Sequence, residues 1–192
     1  MTATPRARWP EAPRPFRAVR KLPLGNYPLS RVFPGFPKVR PFAQYPVTAR
    51  TRSEIARRAR IQVVSERAWM YVAPHEPPPW AAKYGWVPFT SATDCIVVAR
   101  KHLARSPSVV LYLDLLHEFF HLLQRHAGRE LWDLTHGYVD SPTELEAYRF
   151  SVAEARRLGL SDAFLRRYLK VDWVSAKDHR KLLRSLGVAP PR

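Results

Sequence analysis

The sequence predicts an α+β fold, in which a small mixed or antiparallel sheet packs on one buried helix. Short runs rich in β-branched and aromatic residues, at 67–73 and 94–100, have the composition of strands. Residues 108–126 contain no glycine or proline and carry apolar side chains on nearly every face, which indicates a buried helix. A length of 192 residues is sufficient for one domain with an added arm.

The chain is expected to have three parts, which are an extended arm at 1–50, a core at 51–160 and a basic pair of helices at 161–192. Residues 1–48 hold 10 of the 19 prolines, and many of these stand beside an aromatic residue. Proline at this density disfavours helices and central strands, so we expect an extended segment with local turns. We expect its aromatic side chains to lie on the protein's own domain. The alternative is an arm that binds nucleic acid or an acidic partner.

The other elements are predicted from their start and stop signals. A short basic helix is expected at 52–66, with Ser53 as its N-cap. A longer helix is expected from Pro142 to about residue 158, because Ser141 and Glu144 have the spacing of a capping box. Two shorter helices are expected at about 162–170 and 176–186, each preceded by a serine.

The formal net charge of +16 is unevenly distributed along the chain. Residues 1–60 carry 14 basic and 2 acidic residues, whereas residues 111–150 carry 3 basic and 7 acidic residues. The basic excess favours a nucleic acid, an anionic membrane surface or an acidic protein as a partner. The reversal of sign at 111–150 marks the segment where carboxylates collect.

The compartment is predicted from the cysteine count and the apolar runs. A single cysteine, Cys95, excludes an intramolecular disulfide framework and favours the cytoplasm. The longest apolar run, 109–123, is interrupted by charged and polar residues, so no membrane span is expected. The N-terminus has no apolar segment of the kind found in secretory signals.

An HExxH motif lies in the predicted buried helix, from His117 to His121. Residues four apart share one face of a helix, so the two imidazoles can bind one Zn²⁺ ion. Glu118 lies beside the first histidine, where it can take a proton from a water bound to that ion. The alternative is two core histidines that form hydrogen bonds to the backbone or to carboxylates. A metal is favoured because burying these polar groups without partners is costly.

A tetrahedral zinc site with one open position needs a third protein ligand. The candidates in the sequence are His126, His136, Asp140, Glu144 and Glu146. His126 follows His121 by five residues and faces another side of the helix. Glu144 already has a place in the predicted capping box, so Glu146 is the favoured ligand and Glu144 remains the alternative.

The HExxH motif, followed by a helix that carries Glu146-Ala147, resembles the gluzincin pattern and in particular the ImmA/IrrE-type metallopeptidases. The resemblance covers residues 94–158. It implies zinc ligation by His117, His121 and Glu146, with Glu118 as general base and a peptide or protein as substrate. It also implies that the strand at 94–100 lies beside the substrate cleft.

Several further groups are predicted to support the reaction. A developing oxyanion needs a hydrogen-bond donor, and His136 and Tyr138 are favoured over Tyr148 because they lie in a loop. The second ring nitrogen of a ligand histidine is usually bound to a carboxylate or carbonyl. The candidates for that role are Asp114, Asp133 and Asp140.

The sequence therefore predicts a zinc-dependent metallohydrolase, specifically a peptidase. The alternative is a basic protein that binds nucleic acid or ribonucleoprotein, in which the metal site is structural or vestigial.

Overall fold

The computed structural model describes residues 10–14, 16–36, 48–65, 69–73, 94–131 and 135–190. Within these ranges the protein has a mixed α+β architecture with one four-stranded sheet, so the predicted fold class is confirmed at this level. The strands are β1 (Gly25–Pro28), β2 (Arg60–Val64), β3 (Met70–Val72) and β4 (Cys95–Ala99). Their order in the sheet is β1-β2-β4-β3. The central pair β2 and β4 is parallel, and the two outer pairs are antiparallel.

Seven α-helices accompany the sheet in the described part of the chain. They are α1 (Leu29–Val32), α2 (Ala49–Arg58), α3 (Arg100–Arg105), α4 (Ser108–His126), α5 (Pro142–Arg157), α6 (Asp162–Tyr168) and α7 (Ala176–Ser185). A 3₁₀ turn, Tyr138–Asp140, precedes α5. None of the described helices is long and apolar enough to cross a bilayer.

Helix α4 lies at the centre of the molecule and packs against both β3 and α5. It begins after Pro107. A proline is tolerated at the start of a helix, because the N–H that it lacks would have no hydrogen-bond partner within the helix. It ends at Ala127 and is followed by Gly128, whose φ of +76° is the left-handed conformation that terminates helices. These bounds give the buried helix its full length of 19 residues.

Helix α5 runs antiparallel to α4 in a register that three buried contacts define. Tyr112 Oη donates to Glu154 Oε1 at 2.6 Å, and Gln124 Nε2 donates to the carbonyl of Thr143 at 3.1 Å. Between them, Ser151 Oγ donates to the carbonyl of Leu113 at 3.4 Å. This register places the first turn of α5 opposite the last two turns of α4.

The expected N-caps of the last three helices are present. Ser141 Oγ, Ser161 Oγ and Ser175 Oγ accept hydrogen bonds from main-chain N–H groups of α5, α6 and α7, respectively. Each bond satisfies one of the amide groups that a helix N-terminus leaves without an intrahelical partner.

The predicted helix at 52–66 is wrong in its bounds and its cap. Helix α2 begins after Thr48, whose Oγ1 accepts from the N–H of Thr51 at 3.1 Å, and it ends at Arg58. Residues 60–64 form β2 instead, because the β-branched residues Ile61 and Val63 point into the core and the strand pairs with β4. That pairing joins segments more than thirty residues apart, so no local pattern indicates it. The predicted strand at 67–73 is observed as β3, and residues 66–68 lie outside the described ranges.

The predicted arm contains regular structure where it is described. Its residues 25–28 form β1 at the edge of the sheet, where proline is tolerated. Residues 29–32 form the single helical turn α1, so the expectation of a segment without helix is wrong there. The side chains of Phe16, Phe33 and Phe36 are buried in the hydrophobic core.

We expect Phe33→Ala to lower the free energy of unfolding by about 3–5 kcal/mol, as for other buried phenylalanines. The Phe33 ring is fully buried and stacks on Phe16 with ring centroids 5.8 Å apart. Leu24→Ala is the matched control, because Leu24 is 49% exposed, and it should change stability by less than about 0.5 kcal/mol. Chemical denaturation of both variants measures the difference. Equal effects would show that the arm is not part of the folded core.

Candidate metal centre

Two histidines on one face of α4 point their ring nitrogens at each other. His117 Nε2 and His121 Nε2 are 3.0 Å apart, and both side chains are almost completely buried. Their spacing of four residues places them one above the other on the helix. The HExxH motif therefore presents two imidazoles to a single point.

The carboxylate of Glu144 lies against both histidines. Its Oε2 is 3.2 Å from His117 Nε2, and its Oε1 is 3.4 Å from His121 Nε2. Glu144 stands in the first turn of α5, which the helix register brings opposite this part of α4. The three side chains His117, His121 and Glu144 form a group that could hold a metal ion.

The capping box at the start of α5 is only half formed, and the carboxylate of Glu144 is bonded to the histidines instead. Ser141 Oγ accepts from the main-chain N–H of Glu144, but the N–H of Ser141 donates to the carbonyl of Gly137 at 2.9 Å. In a complete capping box the glutamate carboxylate would accept from that N–H. We expected this carboxylate to complete the capping box of α5, whereas in the structure it lies at the two histidines.

The structure does not bring the favoured ligand, Glu146, to the histidines. Its side chain is 40% exposed, and its Oε2 accepts from Gln124 Nε2 at 2.7 Å. Residues two positions apart on a helix are separated by about 200° around its axis, so Glu144 and Glu146 cannot face the same point. Of these two glutamates, the structure selects Glu144, the alternative.

The other candidate ligands have different partners or positions. His126 pairs with Asp94 at 2.7 Å, and Asp140 pairs with Lys181 at 2.6 Å. His136 is exposed, and its Nδ1 lies 2.9 Å from Thr135 Oγ1.

The geometry of the three side chains fits a tetrahedral ion. Zinc lies about 2.0–2.1 Å from histidine nitrogen and carboxylate oxygen, so two ligand atoms of a tetrahedral site are about 3.3 Å apart. The two histidine nitrogens are 3.0 Å apart, His117 Nε2 lies 3.2 Å from Glu144 Oε2, and His121 Nε2 lies 3.4 Å from Glu144 Oε1, so each nitrogen has one carboxylate oxygen near that distance. Two imidazoles and one glutamate are also a donor set that Zn²⁺ takes in catalytic sites with one open position.

The electrostatics of the group favour a positive charge at its centre. Burial works to lower the pKa of His121, but the Glu144 carboxylate outweighs burial and raises that pKa to about 9. Burial lowers the pKa of His117. Burial works to raise the pKa of Glu144, but the charge of His121 and the hydrogen bonds from both histidines hold it well below its usual range. The shifts of His121 and Glu144 favour a positive charge between them, whereas the shift of His117 does not, and a metal ion would supply that charge.

One carboxylate oxygen of Glu118 is bonded to the edge of the sheet. This oxygen, Oε2, accepts from the main-chain N–H of Val72 in β3 at 3.0 Å. Burial raises the pKa of Glu118 to about 8. A carboxyl group with a pKa near neutrality can both accept and donate a proton under physiological conditions.

The raised pKa of Glu118 predicts how the stability of the metal-free protein depends on pH. In the unfolded chain Glu118 ionises near 4.5, whereas in the folded protein it stays protonated up to about 8. Its contribution to the free energy of unfolding therefore falls as the pH rises through that window. Glu118→Gln removes this loss, so the variant should gain stability over the wild type at pH 8 and little at pH 5. Chemical denaturation of the chelator-treated wild type and variant at pH 5 and pH 8 measures this difference in stability. An equal change in stability at the two pH values would contradict the raised pKa of Glu118.

A cavity of about 840 Å³ opens in front of the three side chains and Glu118. Strand β3 forms one wall, and aromatic residues form much of the remainder. Trp69 and Trp173 lie with ring centroids 5.0 Å apart, and Tyr138 lies 5.9 Å from Trp173. The site is therefore accessible through a largely apolar cavity.

Two tyrosines stand next to His117 in this cavity. The Tyr148 ring lies 4.3 Å from the His117 ring, and the hydroxyls of Tyr138 and Tyr148 are 2.6 Å apart. Burial raises the pKa of both tyrosines, so each keeps its proton. The structure thus brings Tyr138 to the site together with Tyr148, whereas His136 is exposed and lines the same cavity.

The strand that lines the cavity is β3. The prediction that the strand at 94–100 lies beside the substrate cleft is therefore wrong. Strand β4 lies between β2 and β3, and all five of its residues are buried. A continuous run of apolar residues is typical of a central strand that is buried on both faces, and the sequence of β4 contains such a run.

The expected carboxylate partners of the histidines also lie elsewhere. Asp114 is 2.8 Å from His102, Asp140 pairs with Lys181, and Asp133 lies outside the described residues. The second nitrogen of His121 is bound instead by Gln124, whose Oε1 is 2.7 Å from Nδ1. Sequence reasoning missed Gln124, although its position three residues after His121 places both on one helix face.

Comparisons with protein-family models, with curated protein sequences and with solved structures give no match to this chain. A functional interpretation must therefore depend on the residues of the site.

Proposed function

We propose that this protein is a zinc-dependent hydrolase that cleaves peptide bonds. One observation carries the proposal, which is the convergence of His117 Nε2, His121 Nε2 and the Glu144 carboxylate on one point. Glu118 follows the first of these ligands in sequence and has a pKa near neutrality, which suits a proton shuttle.

His117, His121 and Glu144 would hold Zn²⁺, which would lower the pKa of a water molecule towards neutrality and polarise a carbonyl group. Glu118 accepts the proton of the attacking water and delivers it to the nitrogen of the leaving amine. The N–H of Val72 anchors Oε2 of Glu118, so Oε1 is the oxygen that carries the proton.

The tyrosine pair supplies a hydrogen-bond donor for the developing oxyanion. Two neutral hydroxyls 2.6 Å apart share one proton between them, and this leaves the other proton for a third group. Because Tyr148 packs on His117 and Tyr138 lines the cavity, that proton is directed at a substrate carbonyl next to the zinc ligands.

Strand β3 provides a surface on which an extended peptide can pair. Trp69 and Ala73 bond to β4 through their main chains, so the alternation of the strand turns the main-chain groups of Met70 and the carbonyl of Val72 towards the other edge, where the N–H of Val72 already donates to Glu118. A peptide bound along that edge would gain main-chain hydrogen bonds and lay alternate side chains on the aromatic wall. The proposed substrate is therefore an extended peptide with a large apolar side chain near the bond that is cleaved.

The experiment that tests this proposal is cleavage of a peptide library by the full chain loaded with zinc. New termini are identified by mass spectrometry before chelation, after chelation and after zinc is added back. We expect cleavage that chelation abolishes and zinc restores, with large apolar residues enriched beside the cut. Absence of cleavage across the library, or cleavage that persists without metal, would refute the proposal.

A further inference from the structure

The side-chain amide of Gln124 is a fully buried link between His121 and α5. Its Oε1 lies 2.7 Å from His121 Nδ1. Its Nε2 donates to the carbonyl of Thr143 at 3.1 Å and to Glu146 Oε2 at 2.7 Å. Both hydrogens of the amide nitrogen therefore have partners.

These partners fix the orientation of the amide. A main-chain carbonyl and a carboxylate can only accept hydrogen bonds, so the amide nitrogen must face Thr143 and Glu146. The amide oxygen must then face His121. Because that oxygen can only accept, the proton of the contact belongs to His121 Nδ1.

The location of this proton determines which nitrogen of His121 can bind a metal. Metal binding displaces the proton from the nitrogen that binds the ion, and a neutral imidazole that keeps its proton at Nδ1 carries its lone pair at Nε2. Nε2 is the atom that faces His117 and Glu144. The opposite tautomer would place a proton where the ion has to bind.

The two histidines differ in this respect. Nδ1 of His117 is buried and has no hydrogen-bond partner in the described part of the chain. Only the ring of His121 is therefore fixed by a hydrogen bond on the side away from the site.

We propose that Gln124, oriented by Glu146 and Thr143, is a positioning residue that holds His121 in the Nδ1–H tautomer and so presents Nε2 to zinc. The inference rests on the proposed function, because it assigns how one ligand of that site is prepared. It also gives Glu146 a role, since this carboxylate acts on the site through two successive hydrogen bonds instead of binding the ion.

A residue that only joined α4 to α5 would contribute to stability and leave the chemistry of His121 unchanged. Two measurements separate these roles. One is the zinc affinity of the full chain, measured by competition with a chelator. The other is the NMR signal of the His121 Hδ1 proton, which a hydrogen bond to a buried amide protects from exchange with water.

Gln124→Leu removes the acceptor, and Gln124→Asn keeps an amide that is one methylene too short to reach His121. We expect each to weaken zinc binding by about 10–100-fold, as loss of such a supporting hydrogen bond does elsewhere. The Hδ1 signal of His121 should disappear in both. Tyr112→Phe is the matched control, because it removes another buried hydrogen bond between α4 and α5, away from the site. It should leave both measurements unchanged.

The outcomes are distinguishable. If the wild type binds zinc and both Gln124 variants bind it equally tightly, the inference is overturned and the proposed function stands. A protected Hε2 signal in place of Hδ1 on wild-type His121 would also overturn the inference. A wild-type chain that binds no zinc would overturn both. If Gln124→Leu does not fold, the polar Gln124→Asn variant decides the result.

Discussion

Glu144→Ala is expected to abolish tight zinc binding, whereas Glu146→Ala is expected to retain it. The Glu144 carboxylate lies 3.2 and 3.4 Å from the two histidine nitrogens, so its removal takes away a direct ligand. Affinity should fall by more than the roughly 10–100-fold that loss of a hydrogen bond to a ligand costs. Glu146 acts only through Gln124, and Thr143 continues to orient that amide in its absence.

The two variants form a matched pair, because both remove one carboxylate from the first two turns of α5. Zinc titration in competition with a chelator gives the two affinities under identical conditions. A larger loss in Glu146→Ala would restore the ligand set that the sequence favoured. Equal retention in both would mean that neither glutamate binds the ion.

Glu118→Gln is expected to abolish peptide cleavage while leaving the zinc content unchanged. Glutamine has nearly the same shape, but its amide cannot carry a proton from the attacking water to the leaving amine. Removal of a positioned general base costs about 10²–10⁴-fold in rate. The three ligands keep their positions, since Glu118 contacts β3 through Val72 and makes no hydrogen bond to them.

The measurement is the rate of cleavage of one peptide from the library, with zinc content determined on the same preparation. Glu130→Gln is a suitable control, because Glu130 is an exposed glutamate that follows the end of α4. Its rate should equal that of the wild type. Normal cleavage by Glu118→Gln would show that another group serves as the base.

The parts of the fold that the sequence predicts correctly depend on local signals. The absence of glycine and proline from 108–126, with Gly128 beyond it, defines α4. The serine caps define the starts of α5, α6 and α7. The spacing of His117 and His121 places them on one helix face without reference to the rest of the protein.

The parts that the sequence misses depend on contacts between distant segments. Residues 60–64 are a strand because β4 lies beside them, although their helical continuation from α2 was locally plausible. The choice between Glu144 and Glu146 depends on the register in which α5 packs against α4, because that register brings Glu144 to the histidines. Gln124 acquires its role only when α5 is packed against α4.

The most direct test of the central claim is the metal content of the 192-residue chain after incubation with zinc and removal of free ions. Elemental analysis of the wild type should give one zinc ion per chain, with His117→Ala and His121→Ala retaining almost none. Circular dichroism on the same samples establishes that each is folded. A folded wild type without zinc, or histidine variants that retain it fully, would contradict the assignment of this site as a zinc centre.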